Sequence, residues 1–300
     1  MGDSQFQKTL AQYRQYLDQA GLSPVTIKSY VGDIKHFASW LVEARRKRLL
    51  ESTGEDIRAY RLELVTAKAH PAATVNRHLQ SIRKFHRYAS EAGLVKEDPS
   101  LEVKLLPQRK SQAARGLNQA EIERLLEAVR NGAARLVDRD YAIVQLMLQT
   151  GIRVGELTRL RISDVLVLAE GGVLRISGQG AYQNRDVPLN ASVRKAISAY
   201  LRKRPRSSSN HLFLSRTGDP LSVRSVQRLV NTHGRAAGLD KVSTYTLRQT
   251  CGQHMLRDTG DLSLVARFLG HKRVETAIRY ILPGQEDLTE VAERSSLNVY

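Results

Sequence analysis

Apolar residues recur every three or four positions through most of the first hundred residues, the spacing of helices packed along one face. In FQKTLAQYRQYLDQAG, Phe6, Leu10, Tyr13 and Leu17 share a side. LSPVTIKSYVGDIKHFASWL opens on Ser23, a good N-cap, with Pro24 at the first helical position. Ile27, Tyr30, Val31, Ile34, Phe37 and Leu41 then form one stripe. A third helix is predicted through EDIRAYRLELVTA. The fourth, AATVNRHLQSIRKFHRYASEAG, turns Val75, Leu79, Ile82 and Ala89 inward and shows Arg77, Arg83, Lys84 and Arg87 on its other side.

The pattern lapses at LPQRKSQAARG, Leu106 to Gly116, which is charged and aperiodic and reads as a linker. A helix resumes with LNQAEIERLLEAV. RDYAIVQLMLQTG is apolar nearly all round, which predicts a buried helix stopped by Gly151. VLVL, GVLRISG and NRDVPLN alternate as strands do and are punctuated by Gly171-Gly172 and the glycines at 178 and 180, so a small antiparallel sheet is predicted. Helices return from Ala191, among them LSVRSVQRLVNTHGRAAG, with Ser222 as cap and Arg224 and Arg228 on its polar face. Past the Pro283-Gly284 turn, Leu288, Val291 and Ala292 line one side of a short tail helix over 285–295. A helix that short is marginal alone and has to dock on something. The expected architecture is mainly α with a small antiparallel β-sheet, in two domains: a helical bundle over 1–105, a linker over 106–116 and an α+β domain over 117–300.

Composition adds a partner to this picture. There are 47 Lys plus Arg against 30 Asp plus Glu, a net charge of +17. The surplus is spread over the periodic segments instead of one tail, which favours a polyanion bound by folded surface. The basic side of the fourth helix is then either a solvated face or a set of DNA-backbone contacts, and Lys28 joins the candidates. No apolar run is long enough to span a membrane, and MGDSQFQKTLAQ has no signal-peptide core. The single cysteine, Cys251, excludes an internal disulfide and a cysteine-built metal site. A cytoplasmic protein with no metal and no cofactor is expected. Cys251 itself falls on an apolar helix face and is expected to be buried and inert.

Four stretches carry candidate chemistry: TGIRVGELTRLRISDV, ISGQGAYQNRDVPL, TYTLRQTCGQHML and LVARFLGHKRVETAIRY. In order and content they resemble the tyrosine recombinase (integrase) family, which includes Xer-type recombinases and phage integrases. The resemblance spans nearly all of the second domain, and the helical first domain is similar in kind to that family's SAM-like core-binding domain. It implies a C-terminal catalytic domain in which Tyr280, nine residues beyond the histidine of LGH, attacks a DNA phosphate. The physical demands fit. Metal-free strand cleavage needs charge stabilisation on the non-bridging oxygens and a proton for the leaving 5′ oxygen. Arg153 and Arg248 can each present two parallel donors to a phosphate. Arg248 is expected in the first turn of a helix capped by Ser243 or Thr244, where spare N–H groups also favour an anion. His271, after Gly270, either donates to the phosphate or caps the last helical carbonyls. Glu156 either orients Arg153 or His271, or lies on a helix surface.

Two positions depart from the family. Tyr245 stands where most members carry a histidine, and a phenol can still hydrogen-bond a phosphate or the nucleophile. Gln179 stands where the hairpin lysine that protonates the leaving oxygen is usual, and it has no proton to give at a useful pKa. Losing a general acid costs roughly 10²–10⁴ in rate. Arg185, before VPL, is a DNA-binding candidate and a poor acid, as is Arg175. The resemblance implies a site-specific recombinase working through a 3′-phosphotyrosine on double-stranded DNA, as a homotetramer that exchanges tail helices on its site and is monomeric off it. Two alternatives stay open: a DNA-binding regulator on the same fold with weakened or lost cleavage, and a type IB topoisomerase that relaxes DNA without pairing sites.

Overall fold

In a computed structural model of the chain, residues 2–107, 115–178 and 184–271 are described. The molecule divides into two units, Met1–Ser111 and Gln112–Tyr300.

The first unit is a helical bundle: α1 Gly2–Gln19, α2 Pro24–Trp40, α3 Gly54–Thr66 and α4 Ala72–Glu91. The Ser23 side chain accepts from the Thr26 N–H and Pro24 starts α2, as the sequence predicts. After Trp40 the helix widens into a π-helical turn, Leu41–Arg45, and Arg46 ends it in the left-handed conformation (φ 55°). Thr53 caps α3 by accepting from the Asp56 N–H. The bundle encloses Leu10, Tyr13 and Leu17 of α1, Ile27, Ile34 and Phe37 of α2, Ile57, Tyr60 and Leu64 of α3, and Val75, Leu79, Ile82, Phe85 and Ala89 of α4. Tyr13 meets Phe85 edge-on, centroids 5.2 Å apart, a favoured aromatic geometry.

Polar groups are buried beside this apolar set as well, Asp33 and His86 among them. The Asp33 carboxylate of α2 accepts from Ser81 at 2.7 Å and from Arg77, both on α4. Ser52 meets the fully buried His86 at Nε2, 3.1 Å. Burial pushes the His86 imidazole down to about 4, against a weaker upward pull from Asp98. The chain beyond α4 folds back on it. Asn76 exchanges two 2.8 Å hydrogen bonds with the Leu106 backbone, and Arg83 donates to the Val103 carbonyl.

The second unit is built round α6, Val137–Thr150, which is buried on nearly every face and packs against α5 (Gln119–Arg130), α8 (Ala191–Lys203) and α10 (Thr244–Thr259). A short helix, α7 (Val154–Leu157), leads to the antiparallel sheet β1 (Val165–Val167), β2 (Gly172–Ile176), β3 (Arg185–Pro188), in that spatial order. Leu174 pairs with Val165 on one side and Val187 on the other, and Ile176 pairs with Arg185. The register turns Leu174, Ile176 and Val187 into the core, and it leaves Arg185 at the end of β3 nearest the hairpin. The Gly178 N–H donates to the Asn184 side chain at 2.8 Å. Helices α9 (Val223–Ala236, capped by Ser222) and α11 (Leu262–Leu269) complete the unit. Its entry is clipped to α10: Gly116 N donates to Gln253, Leu117 N to Thr250, and His254 Nε2 meets the Leu117 carbonyl, at 2.8, 2.8 and 3.1 Å. The mainly helical, two-domain architecture with a small antiparallel sheet matches the expectation from sequence. Among the described residues no helix is long and apolar enough to cross a membrane. Most of the expected linker and all of the tail helix over 285–295 lie outside the described residues.

Candidate active site

The site starts where α6 stops. Gly151 takes φ 58°, a conformation that costs glycine little, and Leu269 and Cys251 leave no room there for a Cβ. The turn places Arg153 at the N-cap of α7 with extended backbone. Three residues on, Glu156 reaches back and accepts from the Arg153 N–H at 2.9 Å. The Glu156 side chain is no surface group: the residue is 5% exposed. Arg185, 29 positions along on β3, donates to both of its oxygens, at 3.0 and 2.9 Å. Arg153 Nη1 donates to Oε1 at 3.2 Å. Burial pushes the Glu156 carboxyl up, but the hydrogen bonds and charge of Arg185, with those of Arg153, outweigh it and hold it below the usual carboxylate range.

Arg248 enters from α10. Ser243 is the cap, accepting from Thr246 N at 3.2 Å. Arg248 is the fifth residue of that helix, in its second turn and not the first, so it does not share the unpaired N–H groups of the helix start. The residue is 5% exposed. Nη1 donates to the Gly151 carbonyl, and Nη2 to the Leu269 carbonyl at 2.6 Å and to His271 Nε2 at 2.8 Å. A guanidinium has no lone pair to offer, so Nε2 of His271 is the acceptor in that contact.

The third contributor is the end of α11. Asp261 caps its start by accepting from Ser263 and Leu264 N–H. Gly270 closes its end at φ 66°, and His271 N donates back to the Ala266 carbonyl at 2.8 Å. This is the turn LGH predicts, and it leaves the imidazole beside Arg248. Arg153 also reaches here, to the Leu269 and Gly270 carbonyls at 3.4 and 3.5 Å. Two arginines 95 positions apart thus meet at one carbonyl, that of Leu269, at the negative pole of a helix. Electron-rich oxygen held between two guanidinium groups is what a phosphate would supply in its place.

The remaining candidates scatter. Tyr245, the second residue of α10 and one turn before Arg248, is 49% exposed. Cys251 is buried against Val265, Ala266 and Leu269, and burial pushes its thiol up to about 12, so it is no nucleophile. Tyr280 and Gln179 lie outside the described residues. Of the DNA-binding candidates, Lys28, Arg87, Arg224 and Arg228 are exposed. Arg77 is engaged by Asp33 and Arg83 by the Val103 carbonyl. Lys84 lies 5.6 Å over the Tyr16 ring. The Arg185 side chain is 7% exposed, with both terminal nitrogens bound to Glu156. Arg175 is exposed on β2 opposite Asp186. Nothing in the spacing of Glu156 and Arg185 foretold their pairing. An acid in VGEL and an arginine opening a strand were the available signals, and each is commonplace.

The sequence profile of the phage integrase family matches residues 115–286, and that of the phage integrase N-terminal SAM-like domain matches residues 10–93. A tyrosine recombinase XerC of Pelobacter propionicus is 31% identical over 291 residues, covering 94% of this chain and 93% of that protein. A tyrosine recombinase XerD of Corynebacterium glutamicum is 32% identical over 284 residues, covering 91% and 92%. Among solved structures, a XerH site-specific recombinase bound to a palindromic difH substrate in a post-cleavage complex superposes with a TM-score of 0.74 at 21% identity, over 90% of this chain and 80% of that one. That last likeness is one of fold.

Proposed function

The chain belongs to the phage integrase family, and from that premise we propose that it is a site-specific DNA recombinase that cuts and rejoins strands through a 3′-phosphotyrosine. The observation that supports this most is the meeting of Arg153, Arg248 and His271 at the end of α11. A scissile phosphate takes up the guanidinium donors there. The phenol oxygen of Tyr280 forms the new bond to phosphorus, its proton leaves to solvent, and the bond to the 5′ oxygen breaks. That oxygen takes a proton from water or from Tyr245, because Gln179 has none to give. A 5′-hydroxyl from a partner duplex then reverses the step. No metal or cofactor is called for. The reaction runs in the cytoplasm on a double-stranded site held by four copies of the chain, each tail helix of 285–295 docking on a neighbour. The bundle of the first domain and the exposed Lys28, Arg87, Arg224 and Arg228 hold the duplex. Nothing in the comparisons favours a non-cleaving regulator, since the curated relatives carry the name of recombinases.

The test uses duplexes enriched by the protein from a randomised pool, then nicked near the point of attack to trap product. A covalent protein–DNA adduct forms with the wild type and is absent with Tyr280→Phe. Tight binding with no adduct from the wild type refutes the proposal. A second arm replaces the leaving 5′ oxygen with sulfur, which departs without a proton. Cleavage then accelerates by roughly 10²-fold or more, the share a general acid would have supplied. An unchanged rate means that an acid is already present.

A further inference from the structure

We infer that Arg185 is a positioning residue: by binding Glu156 through two hydrogen bonds it keeps that carboxylate from capturing Arg153, and so leaves the Arg153 guanidinium at the end of α11. The inference rests on the recombinase reading above for its activity measurements, and carries one readout that does not.

The argument is one of competition. Glu156 is a buried carboxylate with two arginines in reach. Arg185 takes both oxygens at 3.0 and 2.9 Å, in the parallel geometry that suits a guanidinium and a carboxylate best. Arg153 has one side-chain bond to the same group, at 3.2 Å, and directs further N–H groups toward the Leu269 and Gly270 carbonyls. Its main chain is fixed to Glu156 regardless, through Arg153 N. Were Arg185 absent, a carboxylate nearly stripped of water would hold a single arginine three residues away, on the same helix end. The bidentate pair would then form with Arg153, drawing it off the position at which it meets Arg248. Arg185 also lies against the backbone of Gly270, within 2.7 Å of where a Cβ would be, so it packs on the turn that sets His271. The other roles open to it fit less well. A phosphate contact would have to displace a carboxylate that holds both Nη atoms of Arg185, whereas Arg248 Nη1 and Nη2 donate to main-chain carbonyls and an imidazole. A proton donor needs a pKa that arginine does not reach.

The distinguishing experiment is a rescue. Full-length Arg185→Met is assayed for single-turnover adduct formation on the nicked duplex at saturating protein, with DNA affinity and its salt dependence measured alongside. The rate falls by roughly 10²-fold, the scale of a misplaced catalytic group, while affinity and salt slope stay as in the wild type. Adding Glu156→Gln to that variant restores much of the rate, because a neutral amide cannot hold Arg153 as a carboxylate does. A residue needed only for folding, or one that touches phosphate, gives no such recovery. A double variant as slow as Arg185→Met overturns the inference, as does a weakened affinity with a shallower salt slope. Should Arg185→Met not fold, Arg185→Lys carries the test: one bond replaces two, the rate falls below that of the wild type, and adding Glu156→Gln to Arg185→Lys restores it or the inference fails. The readout independent of activity is a crystal structure of Arg185→Met or Arg185→Lys, in which Arg153 gains a second bond to Glu156. An unmoved Arg153 overturns the inference even if cleavage is lost. If instead the wild type forms no adduct, the recombinase reading falls while the geometry of Arg153 still answers for Arg185.

Discussion

Asp33 in the first unit and Glu156 in the second are both carboxylates buried against arginine, and the two arrangements differ in what they leave over. In the first unit, Asp33 receives Arg77 and Ser81 from the neighbouring helix, and the Arg77 side chain remains 44% exposed. One negative charge meets one positive charge at the edge of a bundle, and the account closes there. In the second unit, Glu156 receives Arg185 and Arg153, with Arg248 one carbonyl away. Two guanidinium groups share that carboxylate, and Arg153 and Arg248 both also direct donors to the Leu269 carbonyl at a helix C-terminus. A balanced pair serves packing. An unbalanced one, kept from water, is poised for an anion.

The largest effect expected from this contrast is on stability. Glu156→Ala strands a buried arginine that cannot turn to water, and breaking such a pair costs about 3–5 kcal/mol. Asp33→Ala frees an arginine that can swing outward, and costs about 1–2 kcal/mol, most of it from Ser81 and the cavity. Denaturant unfolding separates them, since Trp40, the sole tryptophan, lies in the first unit and reports on Asp33. Equal costs at the two sites would mean that the two carboxylates are equivalent after all.

Acid sharpens the comparison next. In the unfolded chain His86 takes up a proton near its ordinary 6.5, whereas in the fold burial keeps it neutral down to about 4. Between those values the unfolded state binds a proton that the folded state refuses. Stability is therefore full above pH 6.5 and falls as pH drops toward 4, by roughly 3 kcal/mol. His78 is displaced the same way, by burial ahead of the opposing pull of Asp33. Glu156, held low, gives up its contribution only as pH falls below the ordinary carboxylate range. The Trp40 signal thus loses stability at milder acidity than the catalytic half, and His86→Gln flattens its slope. A Trp40 midpoint independent of pH between 4 and 6.5 contradicts the burial argument.

The contrast also marks what could be read from the sequence. Stripes, caps and stop signals are local, and Ser23, Ser222, Gly151 and Gly270 act where the pattern puts them. The convergence of Arg153, Arg248 and His271 was legible through short motifs whose order survives in the chain. The fate of individual arginines was not. Arg77 and Arg83 look alike on a helical wheel, yet one is engaged by a carboxylate on α2 and the other by a carbonyl beyond α4. Arg185 looks like basic surface until β3 is paired with β2 and its end is brought over Glu156. Charge partners are chosen by tertiary contact, and a one-dimensional pattern records the charge without the partner.

The smallest expected effect separates the two kinds of arginine on α4 itself. Arg87 is exposed, whereas Arg77 is held by Asp33. If α4 lies along DNA, replacing a true phosphate contact weakens binding evenly across sequences and lowers the slope of log affinity against log salt by about 1. Arg87→Gln then reduces the slope and leaves the Trp40 unfolding midpoint in place. Arg77→Gln does the opposite: the midpoint drops, because Asp33 loses its partner in a buried setting, and the slope holds. The two substitutions remove the same charge from the same helix ten positions apart, so net charge cannot account for a difference between them. A reduced slope in both would mean that Asp33 releases Arg77 to the backbone of DNA on binding. The balanced pair of the first unit would then be a reserve of positive charge, and the distinction between the two carboxylates would be one of accessibility rather than of kind.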